Sequence, residues 1–343
     1  MNKEVFLPVK RMEGYQKMNQ TFAIVLAAGK GTRMKSDLPK VLHDVCGEPM
    51  VQHVIDQLKR ISIDRIITVV GHQSEMIKQQ LGSSLEYAHQ EEQLGTAHAV
   101  KMCHKKLADQ QGSTLIITGD TPLITEQTLR KCLEHHCSTN SAATILTMFP
   151  EDPAGYGRIV REKNGEVIRI VEHKDASEEE QLIHEVNSGI FCFDNYLLFQ
   201  ALEKVSTNNQ QHEYYLPDVI EILKRQGGKI SATNVDNAEE GLGINDRSQL
   251  ARAEKIYQKR IIEYHRRNGV TIIDPSSTFI EVGVSIGKGT VIKPRTHLKG
   301  NTQIGDNRIV GPDIGLWDYK SINLTKYQNS STTNDVSAMP YVE

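Results

Sequence analysis

The 343-residue sequence has little of what marks several protein classes. It contains one tryptophan and five scattered cysteines, and an odd cysteine count excludes a disulfide framework and suits a reducing compartment. It has no apolar run near the ~18 residues of a membrane span. Its 40 basic residues nearly balance its 43 acidic residues, so no overall charge points to nucleic acid or an anionic membrane. We therefore expect a cytoplasmic protein with neither nucleic-acid nor membrane partners.

The apolar residues follow a pattern typical of alternating strands and helices. Short continuous apolar runs predict buried strands at 22–26, 65–71, 114–118 and 143–147. Helical spacing of apolar residues separates the first two of these runs. The alternation favours an α/β fold whose Rossmann-like sheet is mostly parallel. Since ligands bind at the carboxyl ends of such strands, the loops after Leu26 and Thr118 are the first candidates for a site.

A long charged helix is predicted after this α/β region. Asp246 is suited to begin it as an N-cap, and Gly269 is suited to end it. One apolar stripe follows its spacing, at Leu250, Ala253, Tyr257, Ile261 and Tyr264. We interpret 247–269 as a linker helix, after an N-terminal extension at 1–20 and a first domain at 21–246.

A six-residue repeat follows the linker. Aliphatic residues recur without a miss at Ile280, Ile286, Ile292, Leu298, Ile304 and Val310. This period predicts a parallel β-helix, in which each aliphatic side chain fills the core of a coil. The six-residue pattern of aliphatic and small residues ends after Leu316. We therefore predict a short, truncated β-helix at 270–316 and a disordered, aberrant tail at 317–343.

The loop after the first strand carries the sequence Leu-Ala-Ala-Gly-Lys-Gly-Thr-Arg-Met at 26–34. Glycines and small neighbours let backbone N–H groups approach a polyphosphate, and the basic side chains add charge. The dinucleotide fingerprint is excluded because Met34 stands where a third glycine is needed, and the Walker loop is excluded by its spacing. A structural turn is the alternative interpretation of this loop taken alone.

Two further residues could act with this loop. Pro39 stiffens the chain before Lys40, although a single lysine is more often a solvated surface charge. Asp120 follows the strand at 114–118, where a carboxylate is well placed to bind Mg²⁺ together with nucleotide phosphates. The alternative for Asp120 is a turn, because Asp-Thr-Pro is also a common turn sequence.

Several motifs together resemble a known family. The loop at 26–34 with Pro39-Lys40 is similar to that of the sugar-1-phosphate nucleotidyltransferases. The further matching segments are 90–97, 155–159, 171–175, 187–189, 213–215 and 243–247. With the six-residue repeat, they look like the bacterial bifunctional enzymes that make UDP-N-acetylglucosamine, over about Thr21 to Gly311. Those enzymes join an N-terminal uridyltransferase domain to a C-terminal acetyltransferase β-helix.

The resemblance implies a role for each matching residue. It places the nucleotide on Leu26, Ala27, Ala28 and Gly29. It makes Arg33, Lys40 and Asp120 catalytic, with Asp120 and Asn245 holding the Mg²⁺ cofactor. It has the uracil read by Gln90, Gly95 and Thr96. It has the amino sugar bound by Gly157, Glu172 and Asn187.

The implied reaction joins UTP to N-acetylglucosamine 1-phosphate and gives UDP-N-acetylglucosamine and pyrophosphate. The family's acetyltransferase needs many coils and residues far along the repeat, so we expect this chain to lack acetyl transfer. The family's homotrimer is doubtful here for the same reason.

Two alternatives remain open at this stage. The chain could be a nucleotidyltransferase for another sugar 1-phosphate, such as glucose 1-phosphate. It could also be a non-catalytic remnant that binds a UDP-sugar.

Overall fold

The computed structural model of the protein describes residues 20–320. The first strands are β1 (Gln20–Ala27), β2 (Asp44–Val45), β3 (Glu48–Pro49), β4 (Arg65–Val70), β5 (Glu86–His89), β6 (Gly112–Thr118), β7 (Ala143–Met148), β8 (Arg158–Arg161), β9 (Val167–Val171), β10 (Val186–Asp194) and β11 (Ile230–Asn234). The helices are α1 (Met50–Arg60), α2 (Ser74–Leu81), α3 (Thr96–Lys101), α4 (His104–Leu107), α5 (Glu126–Thr139), α6 (Glu178–Gln181), α7 (Asn195–Leu202), α8 (Asp218–Arg225) and α9 (Arg247–Arg267). The predicted extension, except Gln20, and the tail beyond Lys320 lie outside the described residues.

A nine-stranded sheet forms the centre of the described α/β region. Its strand order is β11-β7-β10-β6-β1-β4-β5, with β8 and β9 attached at β10. Strand β1 runs parallel to both of its neighbours, β4 and β6. Strand β10 is antiparallel to β6 and β7. The mostly parallel sheet expected from the sequence is confirmed.

Both faces of this sheet are buried. Alternate side chains of β1 belong to two different apolar clusters, Phe22 and Ile24 to one and Ala23 and Val25 to the other. Helices that cover both faces account for the continuous apolar runs by which the strands were predicted. Because both faces are covered, a polar ligand finds access at the strand ends.

The chain order changes direction at β1. Strand β4 follows β1 on one side of the sheet, whereas β6 lies on the other side. A crevice at the carboxyl ends of strands is expected at such a switch point. The loops that follow β1 and β6 both begin at this edge, which brings residues about 90 positions apart in the sequence into one place.

Helix α9 has the ends that the sequence predicts. Asp246 Oδ1 accepts a hydrogen bond from the Gln249 N–H at 2.8 Å, as an N-cap does. Gly269 has a left-handed φ of +86°, which suits a glycine just past a helix end. The predicted apolar stripe is only partly correct, because Tyr264 is 39% exposed whereas His265 is 3% exposed.

The residues after α9 form a parallel β-helix. Its strands are β12 (Thr271–Ile272), β13 (Phe279–Ile280), β14 (Ser285–Ile286), β15 (Val291–Ile292), β16 (Thr296–Lys299), β17 (Gln303–Ile304), β18 (Ile309–Val310) and β19 (Ile314–Trp317). They stack as three parallel sheets, β12-β15-β18, β13-β16-β19 and β14-β17. Ile280 pairs with Leu298 and Leu298 with Leu316. This spacing of 18 residues per coil confirms the six-residue repeat.

The coils extend beyond the predicted bounds of the repeat at its C-terminal side. The sequence places the start of a disordered tail at Trp317, but Trp317 pairs with Lys299 in β19. Asp318 Oδ1 accepts from the Asn301 N–H at 2.7 Å, and the Tyr319 carbonyl accepts from the Gln303 N–H at 2.6 Å. These backbone pairings do not need the aliphatic-and-glycine pattern, so residues 317–320 belong to the coil.

The described contacts divide the chain into two units inside α9, between Ile256 and Tyr257. The linker predicted at 247–269 thus contributes to both units. In residues 20–320 we find no helix with the length and apolarity needed to cross a membrane. The cytoplasmic location stays a prediction.

Candidate active site

A cluster of cations and oxygen ligands lies where β1 and β6 end. Lys40 Nζ donates a hydrogen bond to Asp120 Oδ2 and another, of 3.0 Å, to Asn245 Oδ1. Arg33 donates to the same Asn245 oxygen at 2.9 Å. The Lys40 and Asp120 side chains are only 15% and 12% exposed. The structure thus brings together all four residues to which the sequence resemblance assigns catalysis or metal binding.

The backbone explains how residues so far apart meet. Asp120 directly follows the β6 end, and its carbonyl accepts from the Ile244 N–H at 2.9 Å. This bond fixes the loop that carries Asn245. The Asn245 amide donates to the Gly243 carbonyl at 3.2 Å, which leaves its oxygen facing Lys40 and Arg33. The orientation of Asn245 is therefore set by its own loop.

This donor set fits a divalent cation of the magnesium kind. A carboxylate oxygen and an amide oxygen converge on one point, which the Lys40 ammonium occupies as a positively charged stand-in. Mg²⁺ prefers such hard oxygen ligands and usually takes one or two from the protein and the rest from water and phosphates. Within residues 20–320, no cluster of three or more His, Cys, Asp or Glu side chains could hold a metal ion.

The predicted nucleotide loop lies beside this cluster. The Leu26 carbonyl accepts from the Gly119 N–H at 2.9 Å, which ties the loop to the residue preceding Asp120. Gly29 is exposed, and an added Cβ there would meet nothing within 4 Å. Open space above this backbone permits a polar group to approach its N–H groups closely.

The residues predicted to bind the base follow β5, which lies beside β4 at the edge of the sheet. Gln90 is 3% exposed and donates from Nε2 to the Gly95 carbonyl at 3.2 Å. Gly95 has a φ of +116°, and a Cβ there would lie 2.5 Å from the Tyr214 carbonyl oxygen. Only glycine fits that position. The Thr96 hydroxyl accepts from the Leu216 N–H at 2.9 Å and so holds the loop before α8.

The base corner and the nucleotide loop are neighbours. A Cβ added at Gly71, after β4, would lie 2.9 Å from both the Ala28 carbonyl and the Gln93 side-chain nitrogen. Gln93 in turn donates to the Gln90 carbonyl at 3.1 Å. The two parts that the resemblance assigns to one nucleotide therefore border the same crevice.

The predicted sugar residues also meet. The Asn187 N–H donates to the Gly157 carbonyl at 2.8 Å. A Cβ at Gly157 would lie 2.9 Å from the Ile170 side chain and 3.4 Å from Glu172 Oε1, so glycine lets this backbone lie close to the Glu172 carboxylate. The Asn187 side-chain oxygen accepts from the Gly189 N–H at 2.9 Å, which orients its amide within a turn.

Like charges surround Glu172. Burial raises the pKa of Glu172 to about 7, and the charges of Asp218 and Asp175 add to the effect. Burial likewise raises the pKa of Asp218 to about 6, with contributions from Glu221 and Asp175. One carboxylate oxygen of Asp175 is buried without a hydrogen-bond partner in the described part of the chain. This corner holds acceptors in excess and suits a ligand rich in hydroxyl donors.

Sequence reasoning missed the residues that support these corners. Arg158 is 2% exposed and donates to the Pro153 carbonyl at 2.6 Å and the Tyr156 carbonyl at 2.5 Å, which shapes the turn before Gly157. Burial raises the pKa of Tyr156, and the Asp120 charge adds to the rise, so Tyr156 interacts electrostatically with the cation cluster. Both residues lie in the matching segment 155–159, from which their importance could have been predicted. Asp218 lies in none of the matching segments.

Comparison with known proteins agrees with this geometry. Residues 22–238 match the nucleotidyl transferase family. A bifunctional protein GlmU of a Geobacillus species (strain WCH70) is 52% identical over 329 residues, which cover 94% of this chain and 72% of the relative. GlmU of Listeria monocytogenes (serotype 4a) is 53% identical over the same shares. The chain belongs to the GlmU family.

GlmU membership confirms the enzyme class expected from the sequence, a nucleotidyltransferase of the UDP-N-acetylglucosamine diphosphorylase type. The chain spans 72% of the length of the GlmU from Geobacillus sp. (strain WCH70) and 64% of the length of the GlmU from Geobacillus thermodenitrificans. Membership also supports a divalent metal and a substrate pair made of a nucleoside triphosphate and a sugar phosphate.

Solved structures agree at the level of the fold. A putative glucose-1-phosphate thymidylyltransferase from Bacillus anthracis, in complex with sucrose, superposes with a TM-score of 0.55 at 21% identity. The match covers 69% of this chain and 94% of that one. At this identity the likeness supports a common fold and carries no argument about the sugar.

Proposed function

We propose that the chain transfers a uridylyl group from UTP to N-acetylglucosamine 1-phosphate, in a reaction that depends on Mg²⁺ and gives UDP-N-acetylglucosamine and pyrophosphate. The observation that carries the proposal is the convergence of Lys40, Arg33, Asp120 and Asn245 at the ends of β1 and β6. This convergence provides two cations for phosphates and two oxygens for a metal within one crevice.

The chemistry needs alignment and charge neutralisation. An oxygen of the sugar phosphate attacks the α-phosphorus of UTP in line, and pyrophosphate leaves. A phosphate monoester is already anionic at neutral pH, so no side chain has to remove a proton. Lys40 and Arg33 stabilise the charge that develops on the phosphoryl oxygens, while the loop after β1 holds the triphosphate in place.

Asp120 and Asn245 would hold the Mg²⁺ through their side-chain oxygens. When bound, the ion neutralises phosphate charge and so favours the transfer. Lys40 now occupies the point between these oxygens. With the ion held between these oxygens, Lys40 would turn to the nucleotide phosphates, to which an ammonium donates charge-assisted hydrogen bonds.

The acidic corner supports an amino sugar as the acceptor. Glu172 is an acceptor close to the Gly157 backbone, and sugar hydroxyls are donors that match it. Gly157 and Asn187 complete the sugar contacts in the proposal. Gln90, Gly95 and Thr96 bind the uracil, and Thr96 also holds the loop before α8.

A pyrophosphate-release assay tests this function. We expect the purified 343-residue chain to release pyrophosphate only when UTP, N-acetylglucosamine 1-phosphate and Mg²⁺ are all present. Preference for glucose 1-phosphate in competition would contradict the proposed sugar. Thermal stabilisation by UDP-N-acetylglucosamine without any pyrophosphate release would instead support a non-catalytic remnant.

The expected lack of acetyl transfer stays a prediction for the 343-residue chain. We expect no release of free coenzyme A from acetyl-CoA in the presence of glucosamine 1-phosphate, under conditions in which the same sample releases pyrophosphate. Acetylated product above background would contradict it. The sequence also makes the family's homotrimer doubtful for this chain, and sedimentation of the same sample measures its oligomeric state.

A further inference from the structure

The Gln90 side chain has two hydrogen-bond partners on the same atom. Its Nε2 lies 3.2 Å from the Gly95 carbonyl oxygen and 3.0 Å from His98 Nδ1. Gln90 is 3% exposed, so these contacts are nearly free of competition from bulk water. His98 has no place among the residues that the proposed function uses.

The two partners fix which way the Gln90 amide faces. A carbonyl oxygen can only accept, so the amide atom beside Gly95 must be the nitrogen, which has two hydrogens to donate. One hydrogen is donated to the Gly95 carbonyl, and the other is donated to His98 Nδ1. The nitrogen Nδ1 of His98 must then be the acceptor, which places the ring proton of a neutral His98 on Nε2.

The orientation leaves Gln90 Oε1 as the free end of the amide. Within the described residues this oxygen accepts no hydrogen bond. An oxygen acceptor at this position discriminates between pyrimidines, because uracil carries a hydrogen on N3 whereas cytosine has a lone pair there. A buried acceptor set against another acceptor leaves both unpaired, so cytosine should bind about ten-fold more weakly than uracil.

We propose that His98 is a positioning residue for nucleotide selectivity, which holds the Gln90 amide so that the site accepts uracil and rejects cytosine. The inference rests on the proposed function in one respect, that the base lies against Gln90. His98 itself needs no contact with the nucleotide. It acts by accepting a hydrogen bond from the second hydrogen of the Gln90 amide.

The surroundings of His98 suit such a role. His98 is on α3, whose Ala97 N–H donates to the Tyr214 carbonyl at 2.9 Å. The His98 and Tyr214 rings lie with their centroids 6.2 Å apart. The imidazole thus lies between its own helix and the Tyr214 ring, and an acceptor restricted in this way orients an amide better than a mobile one.

Nucleotide binding gives a test that does not depend on turnover. The dissociation constants of UTP and CTP would be measured by calorimetry for the whole chain and for His98→Leu, which fills similar space without an acceptor. We expect the wild type to prefer UTP and His98→Leu to lose about five-fold of that preference, the value of one net hydrogen bond of about 1 kcal/mol. His98→Asn should restore the preference, because its side-chain oxygen can accept from Gln90.

His135→Leu is the matched control, since His135 lies on α5 and makes no side-chain hydrogen bond in the described structure. It should leave the ratio of the two dissociation constants unchanged. If His98→Leu does not fold, His98→Ala provides the same comparison. An unchanged ratio in a folded His98 variant, or a wild type that does not prefer UTP, would overturn the inference. Failure of pyrophosphate release with the UTP preference intact would instead count against the proposed function alone.

Discussion

The phosphate side and the sugar side of the crevice treat charge in opposite ways. On the phosphate side, Lys40 is paired with Asp120 and Asn245 before any ligand arrives. On the sugar side, Glu172, Asp175 and Asp218 repel one another, and the pKa of Glu172 rises to about 7. Each arrangement suits its proposed ligand. A polyphosphate brings negative charge and needs cations, whereas a sugar brings hydroxyl donors and needs acceptors.

The comparison separates two functions of the same crevice. Groups that face the reacting phosphates stabilise charge that develops during transfer, so their loss lowers kcat. Groups that bind the sugar hold ground state and transition state alike, so their loss raises KM.

The largest effect is expected on the phosphate side. Asp120→Asn or Lys40→Ala should lower kcat by about 100-fold or more, the scale of losing one electrostatic partner of a transition state. Steady-state pyrophosphate release with Mg²⁺ measures it. Lys105→Ala is a matched control, because Lys105 is exposed on α4 and takes no part in the cluster. Near-normal turnover in both site variants would remove these residues from the mechanism.

A smaller effect is expected on the sugar side. Glu172 accepts more strongly from sugar hydroxyls when it is ionised, so the KM for the sugar phosphate should rise as pH falls from 8 to 6, through the pKa of about 7. Glu172→Gln should raise KM about ten-fold at pH 8, as expected for a hydrogen bond to a charged group. In this variant the KM should also lose the change with pH that the titration of Glu172 causes in the wild type. A variant with the wild-type profile would contradict this role.

The smallest effect is expected in stability. Because the folded pKa of Glu172 lies above its ordinary value of 4.5, the folded state holds the proton more tightly, and stability falls as pH rises from about 4.5 to about 7. Glu172→Gln removes this penalty. We expect the variant to gain about 1 kcal/mol in the free energy of unfolding at pH 8, after allowance for solvent screening. Urea unfolding at pH 8 and pH 4.5 tests it, since a gain of equal size at both would contradict the electrostatic cause.

Much of the fold follows from the sequence because its signals are periodic. The apolar runs and the six-residue repeat predict the sheet and the β-helix from local pattern alone. Ile272 was not predicted as part of the repeat, because it lies eight residues before Ile280 instead of six. It nevertheless pairs with Ile292, as the residues of the other coils pair with one another. A two-residue insertion hides such a position from any fixed period.

The candidate site was predictable in part. Lys40, Asp120 and Asn245 stand in recognisable segments, and the carboxyl ends of parallel strands bring the first two to one edge. The supporting residues were not predictable in the same way. Asp218 and His98 act through neighbours that only the folded chain provides, in the first case a cluster of carboxylates and in the second the amide of Gln90.

Full kinetics with both substrates varied, on the wild type, Asp120→Asn, Glu172→Gln and the double variant, test the account most directly. We predict that Asp120→Asn lowers kcat, that Glu172→Gln raises the KM of N-acetylglucosamine 1-phosphate, and that the two effects multiply in the double variant. The result that would contradict the account is a wild type that releases pyrophosphate at the same rate without the sugar phosphate, or a Glu172→Gln variant whose loss lies wholly in kcat.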